Sequence, residues 1–98
     1  MAQLKGKKYA STFADLKTAE QSLLEVMKNK RNEIHQWLKS GQSRLEIPWR
    51  FDKVIGKGYK KGYAKEIETN WVYLVLERKP NGFNILTYFP DIRQVPTP

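Results

Sequence analysis

Two runs of strand-forming residues in the last third of the chain constrain its fold most. Trp71 to Arg78 and Phe83 to Phe89 are rich in aromatic and β-branched residues, a composition typical of strands. The segment Lys79-Pro80-Asn81-Gly82 separates them, and an Asn-Gly pair is favoured where a hairpin turn needs positive φ. We therefore predict that these two runs form an antiparallel hairpin.

The first half of the chain has the period of a helix. From Ala19 onward, apolar residues recur at roughly helical spacing, and the polar stretch from Asn29 to Asn32 bends this segment or splits it into two helices. Asp15 and Thr18 compete as the residue that caps the start of the helix. Gly41 is a favourable stop, because glycine readily adopts the left-handed conformation that ends many helices.

Two further strands and a tail are expected around this framework. Leu45 to Phe51 alternates, and Pro48 places it at a sheet edge or a bulge because proline has no N–H to donate. Val54 to Tyr59 is a second, weaker strand. The segment 91–98 carries two prolines and is expected to lie outside the core as a tail.

Helices followed by antiparallel strands predict an α+β domain, with N-terminal helices packed on one face of an antiparallel sheet. A chain of 98 residues forms one domain, so residues 1–98 are treated as a single unit. The bulky apolar residues expected in its core include Ile34, Trp37, Leu74, Leu76 and Ile85.

The charge of the chain points to an acidic partner. The formal net charge is +8, from 18 Lys and Arg against 10 Asp and Glu. Such an excess attracts a polyanion such as nucleic acid, although an acidic protein would be drawn to the same surface. A basic domain with neither partner is a third interpretation. The chain has no cysteine, so it can fold equally in a reducing cytosol or outside the cell.

Much of the positive charge lies in one segment. This basic run consists of Arg50, Lys53, Lys57, Lys60, Lys61 and Lys65. Tyr59 and Tyr63 interleave with it, and cations beside aromatic faces are suited to phosphates and unpaired bases. We expect Lys57, Lys60, Arg50 and Tyr59 to contact RNA; the alternative is a solvated loop whose tyrosines pack on the core.

The sequence gives little support for metal or histidine chemistry. His35 is the only histidine of the chain. It lies between the apolar residues Ile34 and Trp37 of the predicted helix, and we expect its side chain to face solvent. There is no cysteine and no cluster of carboxylates at the spacing of metal ligands. We therefore expect neither a metal nor another cofactor.

Two motifs carry a resemblance to a known family. Tyr9 to Glu20 runs into a helix that contains Ile34-His35-Gln36-Trp37-Leu38, and Trp71 to Arg78 turns at Pro80-Asn81-Gly82 into Phe83 to Pro90. This combination resembles the bacterial pancreatic-ribonuclease-like (RNase A-like) toxin domain of contact-dependent growth inhibition and related polymorphic toxins. The resemblance covers about residues 9 to 91 and implies a pancreatic-ribonuclease-like fold with a cleft across a curved sheet.

The resemblance also implies a set of catalytic positions. The family carries a His on its first helix, an Arg about three turns later, and a Thr-x-Tyr-Pro motif on its last strand. Thr87 and Pro90 match the last motif, whereas Phe89 stands where the family has Tyr. Gln3 stands at the Arg place, and Gln can donate hydrogen bonds but carries no charge. The family His would lie upstream of Met1, since the first residues look like part of a helix within a longer protein.

The function implied by the resemblance is that of a toxin ribonuclease. It would cleave RNA, tRNA among the candidates, by metal-free attack of a 2′-hydroxyl, and a cognate immunity protein would block its cleft. The domain would be delivered as the C-terminal part of a larger secreted or cell-surface toxin and would act in the target-cell cytoplasm. Apart from the complex with its immunity protein, it would be a monomer. The changed catalytic positions favour a trimmed or disarmed domain. A non-catalytic RNA-binding module and a basic protein-interaction domain are the alternatives.

Overall fold

The computed structural model of the protein describes residues 9–62 and 64–95. Within this part of the chain, no helix is long and apolar enough to cross a membrane. Six strands, two α-helices and a short 3₁₀ helix are formed by these residues. In chain order they are β1 (Tyr9–Phe13), α1 (Leu16–Asn29), α2 (Arg31–Ser40), β2 (Arg44–Arg50), β3 (Gly56–Lys60), β4 (Ile67–Thr69), β5 (Trp71–Lys79), β6 (Gly82–Pro90) and the C-terminal 3₁₀ helix (Ile92–Gln94).

The strands form two antiparallel sheets of three strands each. Their orders are β1-β3-β4 and β2-β5-β6, which confirms the α+β class while dividing the expected single sheet into two. The sheets meet at the end of β6, where the Ser11 hydroxyl on β1 donates a hydrogen bond of 2.7 Å to the carbonyl of Pro90. Gly56 on β3 lies so close to Pro90 that a Cβ there would be 2.5 Å from the Pro90 Cγ. The expected sheet did not include β1 or β4, because both are short.

The helical segment is capped and divided by local chemistry. The Asp15 carboxylate accepts a hydrogen bond of 2.7 Å from the backbone N–H of Thr18, so Asp15 is the N-cap of α1. This backbone hydrogen bond, followed by the Thr18 side chain, lowers the pKa of Asp15. Lys30 divides the segment into α1 and α2, and Gly41 ends α2 with a φ of +85°, as predicted.

One core lies between the helices and the sheet β2-β5-β6. The burial of Ile34, Trp37, Leu74 and Leu76 confirms that these residues belong to the core. The Arg78 guanidinium links β5 to α2 by donating a hydrogen bond to the carbonyl of Leu38. The buried members of this core are Val26, Ile34, Trp37, Ile47, Phe51, Ile55, Val72, Leu74 and Leu76.

Ile85 was wrongly expected in the core, because its side chain is 45% exposed. It lies on β6, which is an edge strand with a neighbouring strand on one side only. Pro48 lies on β2 at the opposite edge, which confirms its predicted position. The β5–β6 hairpin is also confirmed, although Gly82, with a φ of +145°, is the turn residue with positive φ and Asn81 is not.

The expectation that residues 91–98 lie outside the core is wrong for Asp91 and Ile92, whereas Arg93 and Gln94 are exposed, and residues 96–98 lie outside the described part of the chain. Asp91 and Ile92 are 0% and 1% exposed. The backbone N–H of Asp91 donates to the carbonyl of Trp71, and the Thr69 hydroxyl donates to the carbonyl of Asp91. These hydrogen bonds hold the segment against the start of β5.

Candidate functional site

A bulge in β6 determines which side chains this strand presents on each face. Leu76 pairs with Ile85 and Val75 pairs with Thr87, so Leu86 has no partner in the register. Residues that pair across antiparallel strands share a face. Thr87 therefore shares the face of Val75, opposite the face through which Leu76 enters the core.

We call the face of β2-β5-β6 that is turned away from the helices the outer face. Thr87 and Phe89 both lie on it, paired with Val75 and Tyr73. Thr87 is exposed, and Phe89 is half-buried. Two of the three predicted catalytic residues are thus adjacent on one surface. Gln3 lies outside the described residues.

Tyr88 points to the opposite side of the sheet, as the alternation predicts. Its hydroxyl is 2.6 Å from the Ser22 hydroxyl, and its ring lies 5.0 Å from the ring of Phe13. Burial raises the pKa of Tyr88, against the lowering effect of the Ser22 hydrogen bond, and Glu25 adds to the rise. This phenol therefore cannot replace the hydroxyl that Phe89 lacks on the outer face.

An aromatic and cationic cluster adjoins the motif on the outer face. The ring centroids of Tyr73 and Phe89 are 5.6 Å apart, and the Arg93 guanidinium carbon lies 4.9 Å from the first and 5.4 Å from the second. Contacts of this geometry are cation–π interactions. The structure thus places a positive charge beside Phe89.

The Asp91 carboxylate fixes the position of this cation. Arg93 Nε and a terminal guanidinium nitrogen donate to the two carboxylate oxygens of Asp91 at 2.7 and 2.9 Å, and the backbone N–H of Arg93 donates to the same group at 3.0 Å. Burial raises the pKa of Asp91, but the hydrogen bonds from Arg93 outweigh it, so the pKa is below its usual value. Asp91 is therefore ionised at neutral pH.

The basic run does not form a single cluster. Lys57 and Tyr59 both approach the Glu66 carboxylate, at 3.4 Å from Nζ and 3.4 Å from the phenolic oxygen. Lys60 lies on the opposite face of β3 by alternation, and its Nζ donates to the carbonyl of Val95 at 3.2 Å. Arg50 is exposed on β2 in the other sheet. Tyr63 lies outside the described residues.

A groove forms where Lys57 and Tyr59 approach β1. Its volume is about 210 Å³. The groove is lined by Ala10, Ser11, Thr12, Lys57, Gly58, Tyr59 and Glu66. The Glu66 carboxylate reduces the positive potential there, so this groove is a weaker anion site than the sequence alone indicates.

His35 is remote from the outer face. It is exposed on α2, whose neighbouring residues Ile34 and Trp37 pack into the core on the other side of the sheet. This confirms the predicted solvent exposure. Among residues 9–62 and 64–95, no three His, Cys, Asp or Glu side chains are grouped so that they could hold a metal ion.

Comparison with known proteins identifies the family. A family model described as the bacterial CdiA-CT RNAse A domain matches residues 1–90. The chain belongs to this family. The resemblance inferred from the sequence is thereby confirmed.

A solved structure has the same fold as this CdiA-CT RNase A domain. In the CdiA-CT/CdiI complex from Y. kristensenii 33638, a chain superposes with a TM-score of 0.82 and 24% sequence identity, over 92% of this chain and 88% of that one. At 24% sequence identity, the similarity between the two chains shows a shared fold. A search of curated proteins gave no match.

Three residues on the outer face of this CdiA-CT RNase A domain were not predicted from the sequence: Tyr73, Asp91 and Arg93. Asp91 and Arg93 were assigned to the tail, and their spacing alone gives no signal of a contact with β5 or β6. Tyr73 could have been found, because alternation along β5 places it opposite Val72 and Leu74 and therefore on the face of the motif.

Proposed function

We propose that this domain is an endoribonuclease toxin that cleaves RNA without a metal ion. The family match over residues 1–90 is the observation that carries the proposal, and the net charge of +8 supports a polyanionic substrate. In this reaction a base removes the proton of a 2′-hydroxyl, and the oxygen attacks the adjacent phosphorus. The bond from phosphorus to the 5′-oxygen breaks, and an acid protonates that oxygen.

The products of this step are a 2′,3′-cyclic phosphate and a 5′-hydroxyl. We assign the scissile phosphate to the outer face beside Thr87, whose hydroxyl can donate one hydrogen bond to a phosphate oxygen. Arg93 supplies positive charge on the same face. Four residues stay predicted RNA contacts: Lys57, Lys60, Arg50 and Tyr59. Lys57 and Tyr59 lie together, whereas Lys60 and Arg50 lie apart from them, so the four would bind different parts of the RNA.

We further propose that these 98 residues cleave RNA slowly. Phe89 lacks the hydroxyl that the family motif has at that position, and Gln3 is uncharged where the family has Arg. His35 lies on the other side of the sheet from Thr87, so it cannot serve as the base there. This chain therefore lacks one hydroxyl and one positive charge that the family motif supplies, while Thr87 and Arg93 remain beside the proposed phosphate position.

An immunity protein is the second proposed partner. The solved structure with the same fold is described as a complex with CdiI, and we infer that a cognate protein also binds this chain. A partner that blocks cleavage must cover the outer face near Thr87, and acidic groups would suit the basic surface. We place the action of the domain in the cytoplasm of a target bacterium, after delivery as part of a larger CdiA protein.

The test is RNA cleavage in the presence of a chelator. Total tRNA and rRNA are incubated with the parent domain, Thr87→Val and Thr87→Ser, and the new ends are analysed for 2′,3′-cyclic phosphate. Removal of one donor to a developing charge lowers the rate by about 100-fold or more, so Thr87→Val should cleave far more slowly than Thr87→Ser.

Three results would contradict the proposal in different ways. Equal rates for both Thr87 variants would refute the site. RNA that is bound but left uncut after long incubation at high protein concentration would indicate a non-catalytic RNA-binding module. An absence of RNA binding would leave the protein-interaction domain as the better explanation.

A further inference from the structure

The outer face holds a planar cation in a fixed position. The Arg93 guanidinium lies over the rings of Tyr73 and Phe89, at 4.9 and 5.4 Å from their centroids, while Asp91 binds its edge through two hydrogen bonds. A guanidinium held along one edge and against two rings cannot rotate freely, so little conformational entropy would be lost when a ligand contacts it.

The anchor of this cation is itself rigid. Asp91 is fully buried, its backbone N–H donates to the carbonyl of Trp71, and its carbonyl accepts from the Thr69 hydroxyl. The Arg93 side chain is nevertheless 37% exposed. The arrangement therefore combines a buried, fully bonded anion with a cation that solvent and solutes can reach.

We infer that Tyr73, Phe89 and Arg93 form a stacking site for one unpaired nucleobase of single-stranded RNA. This inference rests on the proposed function and adds a base-binding position beside the phosphate position at Thr87. Unpaired bases stack on aromatic rings and on the planes of arginine side chains. The site adjoins Thr87, because Phe89 follows it by two residues on the same face of β6.

A purely structural role for Arg93 makes a different prediction. If the guanidinium only neutralises Asp91 and holds the 3₁₀ helix, Arg93→Lys would lose the two-point contact with Asp91 but would affect the binding of base-bearing and abasic RNA equally, since it keeps the positive charge. Stacking requires the planar group, which lysine lacks. Arg93→Lys therefore separates the two roles better than Arg93→Ala, which would leave the buried Asp91 carboxylate unpaired.

The experiment compares two single-stranded probes that cannot be cleaved by 2′-hydroxyl attack. One is a 2′-O-methyl oligonucleotide of about 8 nucleotides, within the usual site size for such binding. The other has the same phosphates and sugars but no bases. Affinities of the parent domain, Arg93→Lys and Arg31→Lys are measured at low salt. Arg31 is an exposed residue at the start of α2 and makes the matched control.

We expect Arg93→Lys to weaken binding of the base-bearing probe by roughly fivefold, the lower end of the stacking effect, while the abasic probe is bound as by the parent. Arg31→Lys should leave both affinities unchanged. Circular dichroism checks that each variant is folded. If Arg93→Lys is unfolded, Phe89→Leu takes its place, since it keeps the apolar volume and removes the aromatic face.

Unchanged binding of the base-bearing probe by the folded variant overturns the inference. An equal loss for both probes also overturns it, because Arg93 would then act on the phosphates alone. If the parent domain binds neither probe, the proposed RNA substrate itself is wrong and the stacking site falls with it.

Discussion

The junction between the two sheets gives the sharpest test of the structure, through the substitution Gly56→Ala. A Cβ at position 56 would lie 2.5 and 2.6 Å from the Cγ and Cβ of Pro90 and 2.8 Å from the carbonyl oxygen of Thr12. Carbon atoms pack best at about 3.5–4.0 Å, so Pro90 would have to move by about 1 Å. Neither a proline ring nor a backbone carbonyl can turn aside like a flexible side chain.

The expected loss follows from two contributions. Extra atoms forced into a packed site destabilise by about 1–3 kcal/mol. Movement of Pro90 also strains the 2.7 Å hydrogen bond from the Ser11 hydroxyl to its carbonyl, and a bond of this kind contributes about 1 kcal/mol. Together they lower the free energy of unfolding by about 2–4 kcal/mol, which corresponds to a fall in Tm of roughly 10–30 °C for a domain of this size.

The assay is urea unfolding followed by tryptophan fluorescence, with Gly62→Ala as the control. Gly62 has open space around it and a φ of +91°, so alanine there adds only backbone strain of about 1–2 kcal/mol. We expect the midpoint for Gly56→Ala to lie below that for Gly62→Ala. A Gly56→Ala variant as stable as the parent would refute the packing of Pro90 on β3.

Three further predictions concern other parts of the molecule. Tyr88→Phe should lower the free energy of unfolding by about 1 kcal/mol, because it removes the hydrogen bond to Ser22; urea unfolding tests this, and no change would show that the bond contributes nothing. The lowered pKa of Asp91 means that its contribution to stability is present above the ordinary value of about 3.9 and is lost as pH falls through the lower folded value. The stability difference between the parent and Asp91→Asn should therefore be constant from neutral pH down to about 4 and shrink at more acidic pH, and a difference that stays constant below about 4 would contradict this. Glu66→Gln should tighten RNA binding and steepen its salt dependence by about one unit of slope, because Lys57 loses its carboxylate partner; weaker binding would show that Glu66 supports the RNA site.

The sequence predicted the elements of the fold better than the contacts between them. Helical spacing, strand-forming composition and turn residues are local signals, so they located α1, α2 and the β5–β6 hairpin. The division into two sheets depends on β1 and β4, which have five and three residues and present no long pattern. The burial of Ile92 depends on hydrogen bonds from distant residues to Asp91, which no local pattern contains.

The candidate site shows the same limit. The resemblance selected Thr87 and Phe89, and the structure places both on one face, yet their roles stay predictions. Local spacing suggested that the cations of the basic run lie together, whereas strand alternation and pairing separate Lys60 and Arg50 from Lys57. Arg93 could not be selected, because its importance comes from Tyr73 and Phe89 on two other elements.

The unpaired Leu86 makes the pairing register of β6 as consequential as its composition. Leu86 is the extra residue of the bulge, so Ile85 and Thr87 already pair with the consecutive residues Leu76 and Val75. Deletion of Leu86 would therefore remove the bulge and leave Thr87 and Phe89 on the outer face. If Leu86 were kept but paired regularly with Val75, Thr87 and Phe89 would turn toward the helices and Tyr88 toward solvent. A one-residue gap here in an alignment of related chains is therefore compatible with an intact outer face, because the bulge as well as the spacing of the motif sets the side that each residue faces.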